Sequence, residues 1–282
     1  MKLTKDLLKI DSESIQHRIT RFIKDYVDKA HAKGVVLGLS GGVDSATAAA
    51  LVTIALGGKK VLALHMPEQE TFETADFELV KLLEDKFEFN LKQIDLTNVL
   101  DALYSAIPDY DRKAKLCRGN LKARARMLIW YYYANHENLI VVGSSDKSET
   151  MIGYYTKWGD AAADIAPLMD LYKTQVRQLA SHLGIPSVII KKPSTPALWP
   201  NQTAEKEIGL RYEKLDLILY GLEHFMPTRE IAKQLNLPVK TIMSIKKRWL
   251  QSEHKRKMPL TTKLEYRTIN ADFRFARTIE IE

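Results

Sequence analysis

The sequence predicts an α/β fold: a doubly wound, parallel five-stranded sheet with helices on both faces, followed by a helical C-terminal part. Three observations predict it. Short apolar runs alternate with longer stretches of helical period, the order that βαβ crossovers produce. The run at 35–39 is apolar throughout, as a strand covered on both faces is. A small polar turn, Ser40-Gly41-Gly42-Val43-Asp44-Ser45, then joins that run directly to a helical pattern.

Each element follows from its residues. Ile15, Ile19, Phe22, Ile23, Tyr26, Val27 and Ala30 mark an amphipathic helix over 14–31. Gly34 separates it from the first strand, 35–39, and a helix follows over 46–56. The second strand is 60–66, stopped by Pro67. Phe72, Ala75, Leu79, Leu82, Leu83 and Phe87 give a helix over 72–87. A short third strand is 91–94, and Asp95 or Thr97 caps a helix over 98–106. A long helix spans 119–137, with basic residues in its first turn that oppose the helix dipole. Either an acidic partner offsets them or they are simply exposed helix formers.

The fourth strand is 139–143, and a second polar turn, Ser144-Ser145-Asp146-Lys147-Ser148-Glu149, follows it. Residues 153–168 have aromatics, glycines and charges but no period, as a closing loop does. A helix from 172 ends at Gly184, and Val188-Ile189-Ile190 reads as the fifth strand. A Pro-rich loop covers 191–201. Residues 212–250 read as wholly helical, with a helix-turn-helix pattern over 228–242. The pattern is either a DNA-reading unit or, as favoured here, a helical appendage packed on the sheet. Residues 1–260 are expected to form one domain and 261–282 a tail of little pattern.

Composition narrows the class. A chain of 282 residues with 45% hydrophobic content has enough apolar residues for a full core. No apolar run reaches the roughly 18 residues of a membrane span. The N-terminus lacks a signal-peptide core, and one cysteine, Cys117, excludes an internal disulfide framework, so a cytoplasmic location is expected. Net charge is +7, which suits anionic ligands.

The turn at 40–45 carries the chemistry. Strand, Gly turn and helix N-terminus present backbone N–H groups to an anion. Gly41 and Gly42 permit positive φ and close approach, while Ser40 and Ser45 add hydroxyls. Asp44 would repel a phosphate unless a divalent metal, normally Mg²⁺, lies between them. No Gly-Lys-Ser/Thr follows, so this is not a Walker A loop. The second polar turn leaves the same sheet rim, where doubly wound sheets bind ligands. There Glu149 is either a second metal carboxylate or the partner of Ser144 or Asp146 in a capping box, Asp146 having the right spacing, and both can hold together. Lys173, in the first turn of its helix, is a candidate point charge for a phosphate.

The Ser-Gly-Gly-x-Asp-Ser loop resembles that of the ATP pyrophosphatases. The wider set of motifs resembles the ammonia-dependent NAD synthetase family. It comprises Gly38 to Ser45, Gly119-Asn120-Leu121-Lys122-Ala123-Arg124-Ala125-Arg126-Met127, the turn from Gly143 to Glu149, Thr156-Lys157-Trp158-Gly159-Asp160, Ala163 to Leu168, Pro193-Ser194 and Ser252-Glu253-His254-Lys255-Arg256. Ser144 departs from the commoner bacterial Thr but keeps the hydroxyl.

The resemblance implies a Rossmann-like, adenine nucleotide alpha hydrolase-like fold and a reaction. ATP and deamido-NAD meet at the rim, the nicotinate is adenylated with loss of pyrophosphate, and ammonia displaces AMP to give NAD. It implies that Gly38, Leu39, Ser40, Gly41, Gly42, Val43, Asp44, Ser45, Ser144, Lys173 and Ser194 bind ATP. Asp44 and Glu149 would hold Mg²⁺, and Arg124, Lys157, Asp164, His254 and Lys255 would contact deamido-NAD. Asp44, Lys173 and Asp164 would be catalytic, Asp164 by helping to deprotonate ammonium. A homodimer is implied, and the chain has no segment for a glutaminase, so ammonia is free or comes from a partner protein. Two rivals remain. One is a tRNA-modifying thiolase, disfavoured by the single cysteine; the other is a nucleotide-responsive DNA-binding protein using 228–250.

Overall fold

The computed structural model describes residues 1–268 and Asp272. Of the expected tail, 269–271 and 273–282 lie outside the described residues. The elements run α1 (Ser12–Lys29), β1 (Gly34–Gly38), α2 (Val43–Leu56), β2 (Val61–His65), α3 (Thr74–Phe87), β3 (Asn90–Gln93), α4 (Thr97–Ala106), α5 (Lys115–Glu137), β4 (Leu139–Val142) and α6 (Lys147–Ile152). Then come α7 (Lys173–His182), α8 (Ser187–Lys191), α9 (Ala204–Ile208), α10 (Tyr212–Glu223), α11 (Thr228–Leu235) and α12 (Val239–Gln251).

The sheet is parallel, in the order β3-β2-β1-β4. It switches direction beside β1, because β2 and β4 flank that strand. Alternate side chains face two different cores, as the period of two requires. Val35, Leu37, Val61 and Ala63 join α1, α2 and α7 in one core. Val36, Leu62, Leu64 and Val141 join α4 and α5 in the other. Helix α2 is apolar on every side because it lies between the sheet, α1 and α7.

The expected fifth strand is not formed: among the described residues the sheet has four strands. Val188-Ile189-Ile190 lies instead in α8. Pro186 fixes φ at −54° ahead of that helix, and its carbonyl accepts from Ile189 and Ile190. Only Ile189 is buried in the core, while Val188 is exposed, a one-sided pattern that suits a helical turn. A run of three apolar residues does not separate the two conformations. The free edge of β4 is met by a single bridge, Val142 to Ile165.

Helix α5 begins at Lys115, a turn before the expected start at 119. Lys122, Arg124 and Arg126 therefore lie in mid-helix and do not oppose its dipole. A third core joins α6, α9, α10, α11 and α12 with the N-terminal residues Leu3 and Leu8. The helix-turn-helix pair α11–α12 is packed into it through Ile231, Leu235, Ile242 and Ile245. Its effect is to bring the chain after α12 onto α6. Arg256 donates to the carbonyls of Thr150 and Met151, each at 2.9 Å.

Candidate active site

A cleft of about 580 Å³ opens at the C-terminal ends of β1, β2 and β4. This is where a doubly wound sheet binds its ligand. The loop after β1 forms one wall. Gly41 has φ of +73°, with the Asp76 carbonyl 3.0 Å from where a Cβ would stand, so a larger residue is excluded twice. Gly42 instead has φ of −89° and caps α2. Ser45 Oγ lies 3.1 Å from Ser40 Oγ and donates to the Gly42 carbonyl at 3.1 Å. The two hydroxyls thus hold the turn closed around the α2 N-terminus, a ready anion site.

A charged cluster lies below this loop. Lys173, at the start of α7, is fully buried. Its Nζ lies 2.5 Å from Asp44 Oδ2, 2.9 Å from Asp146 Oδ2 and 2.9 Å from Glu149 Oε1. The contact with Asp146 is an ion pair without an aligned hydrogen bond, because Asp146 Oδ2 has no hydrogen-bond partner. Asp146 Oδ1 accepts from the Glu149 N–H at 2.8 Å and so caps α6. Tyr212, from α10, donates to Glu149 Oε1 at 3.0 Å.

One ammonium faces three carboxylates, so the cluster is short of positive charge. Burial opposes the Lys173 ammonium, yet Asp146, Asp44 and Glu149 reverse that and hold its pKa well above the ordinary lysine value. Burial pushes the carboxyls of Asp146 and Glu149 up, with Lys173 opposing. Burial and Glu149 together keep the Tyr212 phenol protonated. A divalent cation fits this donor set. Asp44, Asp146 and Glu149 each offer an oxygen within 4.8 Å of the others, and Asp44 Oδ1 is buried without a partner. Hard oxygen donors are what Mg²⁺ takes.

Of the other residues expected at ATP, Ser144 and Ser194 line the cleft, and Ser194 Oγ is buried without a partner. The expected dinucleotide residues form a chain of contacts beside it. Arg124 Nη2 donates to the Lys157 carbonyl at 3.2 Å, and Lys157 Nζ to the His254 carbonyl at 2.7 Å. Lys255 Nζ donates to the carbonyls of Gly153 and Tyr155, both at 2.7 Å, and lines the cleft itself. Asp164 is exposed and does not line the cleft. It accepts from the Val141 N–H at 2.8 Å and from the Tyr131 hydroxyl at 3.3 Å.

The model of a family described as NAD synthase matches residues 15–259. The chain belongs to the NAD synthase family. It is 44% identical to an NH(3)-dependent NAD(+) synthetase of Hyperthermus butylicus, over 92% of this chain and 94% of that one. It superposes on an NH3-dependent NAD synthetase from Campylobacter jejuni with a TM-score of 0.75 and 32% identity, covering 90% of this chain and all of that one. It also superposes on a structure described as NMN synthetase from Francisella tularensis, with a TM-score of 0.81 and 30% identity, covering 91% and 100%. The parallel sheet flanked by helices is thus the family's fold.

Sequence reasoning missed two groups that this NAD synthase family member brings to the cluster. The sequence marks Asp146 only as a cap, yet its second oxygen faces Lys173. Tyr212 lies far along the chain in a segment read only for its helical pattern. A buried aromatic hydroxyl next to Glu149 had no sequence signal, because the pairing depends on how α10 packs on α6.

Proposed function

We propose that this chain uses ATP to amidate deamido-NAD (nicotinic acid adenine dinucleotide) with ammonia, giving NAD, AMP and pyrophosphate through an adenylated intermediate. This is the last step of NAD biosynthesis. The observation that carries the reading is the phosphate-type loop directly above a cluster of one lysine and three carboxylates.

In this reading the residues of the loop from Gly38 to Ser45 hold the leaving pyrophosphate through backbone N–H groups and hydroxyls. Ser144 and Ser194 contact ATP, and Lys173 meets its phosphates from below. Asp44 and Glu149 would hold Mg²⁺, which supplies positive charge against the phosphate oxygens when bound. Arg124, Lys157, Asp164, His254 and Lys255 contact the dinucleotide. The contact chain running out of the cleft through Arg124, Lys157 and His254 supports a ligand longer than ATP alone. Asp164 would assist deprotonation of ammonium from its place beside Tyr131. Residues 1–260 act as one catalytic unit with 261–282 as a tail.

A homodimer belongs to the same proposal. Leu116, Leu128 and Tyr132 of α5 are exposed, and a second copy would cover them next to Arg124. No helix among the described residues is long and apolar enough to cross a membrane.

The test is an incubation with ATP, Mg²⁺, ammonium and deamido-NAD. NAD and AMP are expected in equal amounts, and glutamine in place of ammonium should give none. Formation of ADP would overturn the reading. A parallel incubation with nicotinate mononucleotide belongs beside it, because the Francisella tularensis neighbour is described as an NMN synthetase. Preference for the mononucleotide would change the substrate while leaving the chemistry.

A further inference from the structure

Helix α5 presents a second arginine that none of the roles above uses. Arg124 faces outward to the Lys157 carbonyl. Arg126, two residues on, points into the cleft instead. Its Nε donates to the Met66 carbonyl at 3.3 Å, which fixes the plane of the guanidinium at the end of β2. Nη1 and Nη2 make no hydrogen bond or ion pair with any described residue. They are not sealed off, because the side chain is only partly buried and what remains open faces the cleft.

The nearby acids are committed elsewhere. Glu68 accepts from Lys122 Nζ at 2.6 Å and from Thr71 Oγ1 at 2.8 Å. Asp160 accepts from the Thr156 N–H at 2.9 Å. Burial opposes the charge on Arg126, and the fields of Glu68 and Asp160 only partly offset that. An arginine nevertheless stays protonated. The result is a planar cation, oriented and short of an anion, in a nucleotide-sized cleft.

Its position decides which anion. Trp130, one helical turn along α5, lies against the first residue of the phosphate loop. A Cβ on Gly38 would come within 2.6 Å of the indole ring. The Trp130 indole N–H is buried there without an acceptor. The donor wall of α5 and the loop of β1 therefore converge on one space from opposite sides. The loop and the α2 N-terminus take the pyrophosphate, so the phosphorus under attack lies between them and the wall.

We propose that Arg126 is a catalytic residue that holds the non-bridging oxygens of the ATP α-phosphate during adenylation. The assignment rests on the proposed function. In that step a carboxylate oxygen of the acid substrate forms a bond to the α-phosphorus. The bond from that phosphorus to the oxygen bridging to the β-phosphate breaks, and its electron pair leaves with pyrophosphate. No proton is moved. One anion attacks another, so a fork-shaped cation at the equatorial oxygens lowers the barrier more than it tightens ATP binding.

The experiment is exchange of labelled pyrophosphate into ATP, dependent on deamido-NAD and run without ammonia, which reads adenylation alone. Arg126→Met and Arg126→Lys are compared with wild type, with thermal unfolding to check the fold and equilibrium ATP binding measured separately. The Met variant is expected to lose about 10²–10³-fold in exchange rate. Its ATP dissociation constant should change by less than about threefold, since a uniform-binding role would move both alike. The Lys variant should recover part of the rate. Wild-type exchange in the Met variant would overturn the assignment alone, as would a loss accounted for by weaker ATP binding or by the KM for the acid. A wild-type protein that supports no exchange overturns the proposed function and this assignment with it.

Discussion

Lys173 Nζ and Asp44 Oδ2 lie 2.5 Å apart, joining the first turn of α7 to the first turn of α2 beneath the phosphate loop. The same ammonium also faces Asp146 and Glu149, so it stands where a metal's charge would act on those carboxylates. Replacing Lys173 by Ala leaves three carboxylates without their cation. A loss of about 3–5 kcal/mol is expected, because an uncompensated buried charge costs that much. Magnesium then has an unopposed site and should stabilise the variant by binding only its folded form. Thermal unfolding with magnesium and with a chelator checks this. A larger magnesium-dependent rise in wild type than in Lys173→Ala would contradict it.

Asp44 separates metal binding from folding. Its Oδ1 has no partner, and Lys173 keeps two other carboxylates when Asp44 is gone. Asp44→Ala should therefore unfold near the wild-type temperature while losing about 10²–10³-fold or more in turnover. Measurement of NAD formation beside thermal unfolding tests both halves. Turnover at the wild-type rate would remove Asp44 from the site.

Much of this was legible in the sequence for a physical reason. The strands β1 and β2 are buried on both faces and β4 is half-buried, so all three read as apolar runs, and the loop after β1 needs small residues that stand out. The spacing of Asp146 and Glu149 announced a cap, and the Asp146 carboxylate does cap α6. The misses share the opposite property. Val188-Ile189-Ile190 is too short for its period to be read, and Pro186 turned it into a helix. Arg126 and Trp130 sit in a helix with the cleft on one side and core on another, so no single stripe marks them. The burial of Lys173 depends on four elements packing at once, which local pattern does not encode.

His65 gives the protein a pH dependence. It ends β2, and its Nδ1 lies 3.0 Å from the Leu39 carbonyl, which makes Nδ1 the protonated nitrogen. Nε2 is buried without a partner. Burial pushes the imidazole below its ordinary 6.5, with Leu39 and Asp76 opposing. The unfolded chain therefore takes up a proton before the folded one as pH falls through that value. Stability present above it is lost on acidification, by at most about 1.4 kcal/mol per pH unit. His65→Asn keeps a donor for Leu39 but does not titrate. Urea unfolding between about pH 7.5 and about pH 5.5 should show wild type losing more stability than the variant over this window. Parallel losses would rule His65 out as the source.

Lys122 anchors the far wall of the cleft. Its buried Nζ donates to Glu68 at 2.6 Å, to Glu70 at 2.7 Å and to the Leu198 carbonyl at 3.0 Å. Arg118 pairs with Glu70 at 2.8 Å from one turn earlier on α5. Glu70 can therefore keep a cation without Lys122, and Glu68, which is buried, cannot. Lys122→Met should cost about 3–5 kcal/mol, chiefly through the stranded Glu68 carboxylate. Adding Glu68→Gln removes that charge, so the double variant should be more stable than Lys122→Met by about 1 kcal/mol or more. It should not regain ATP affinity, because the Leu198 carbonyl, on the loop that carries Ser194, still lacks its donor. Denaturant unfolding and ATP binding on the two variants separate these effects. A double variant less stable than the single one would mean that Glu68 is held by Thr71 and the backbone rather than by Lys122.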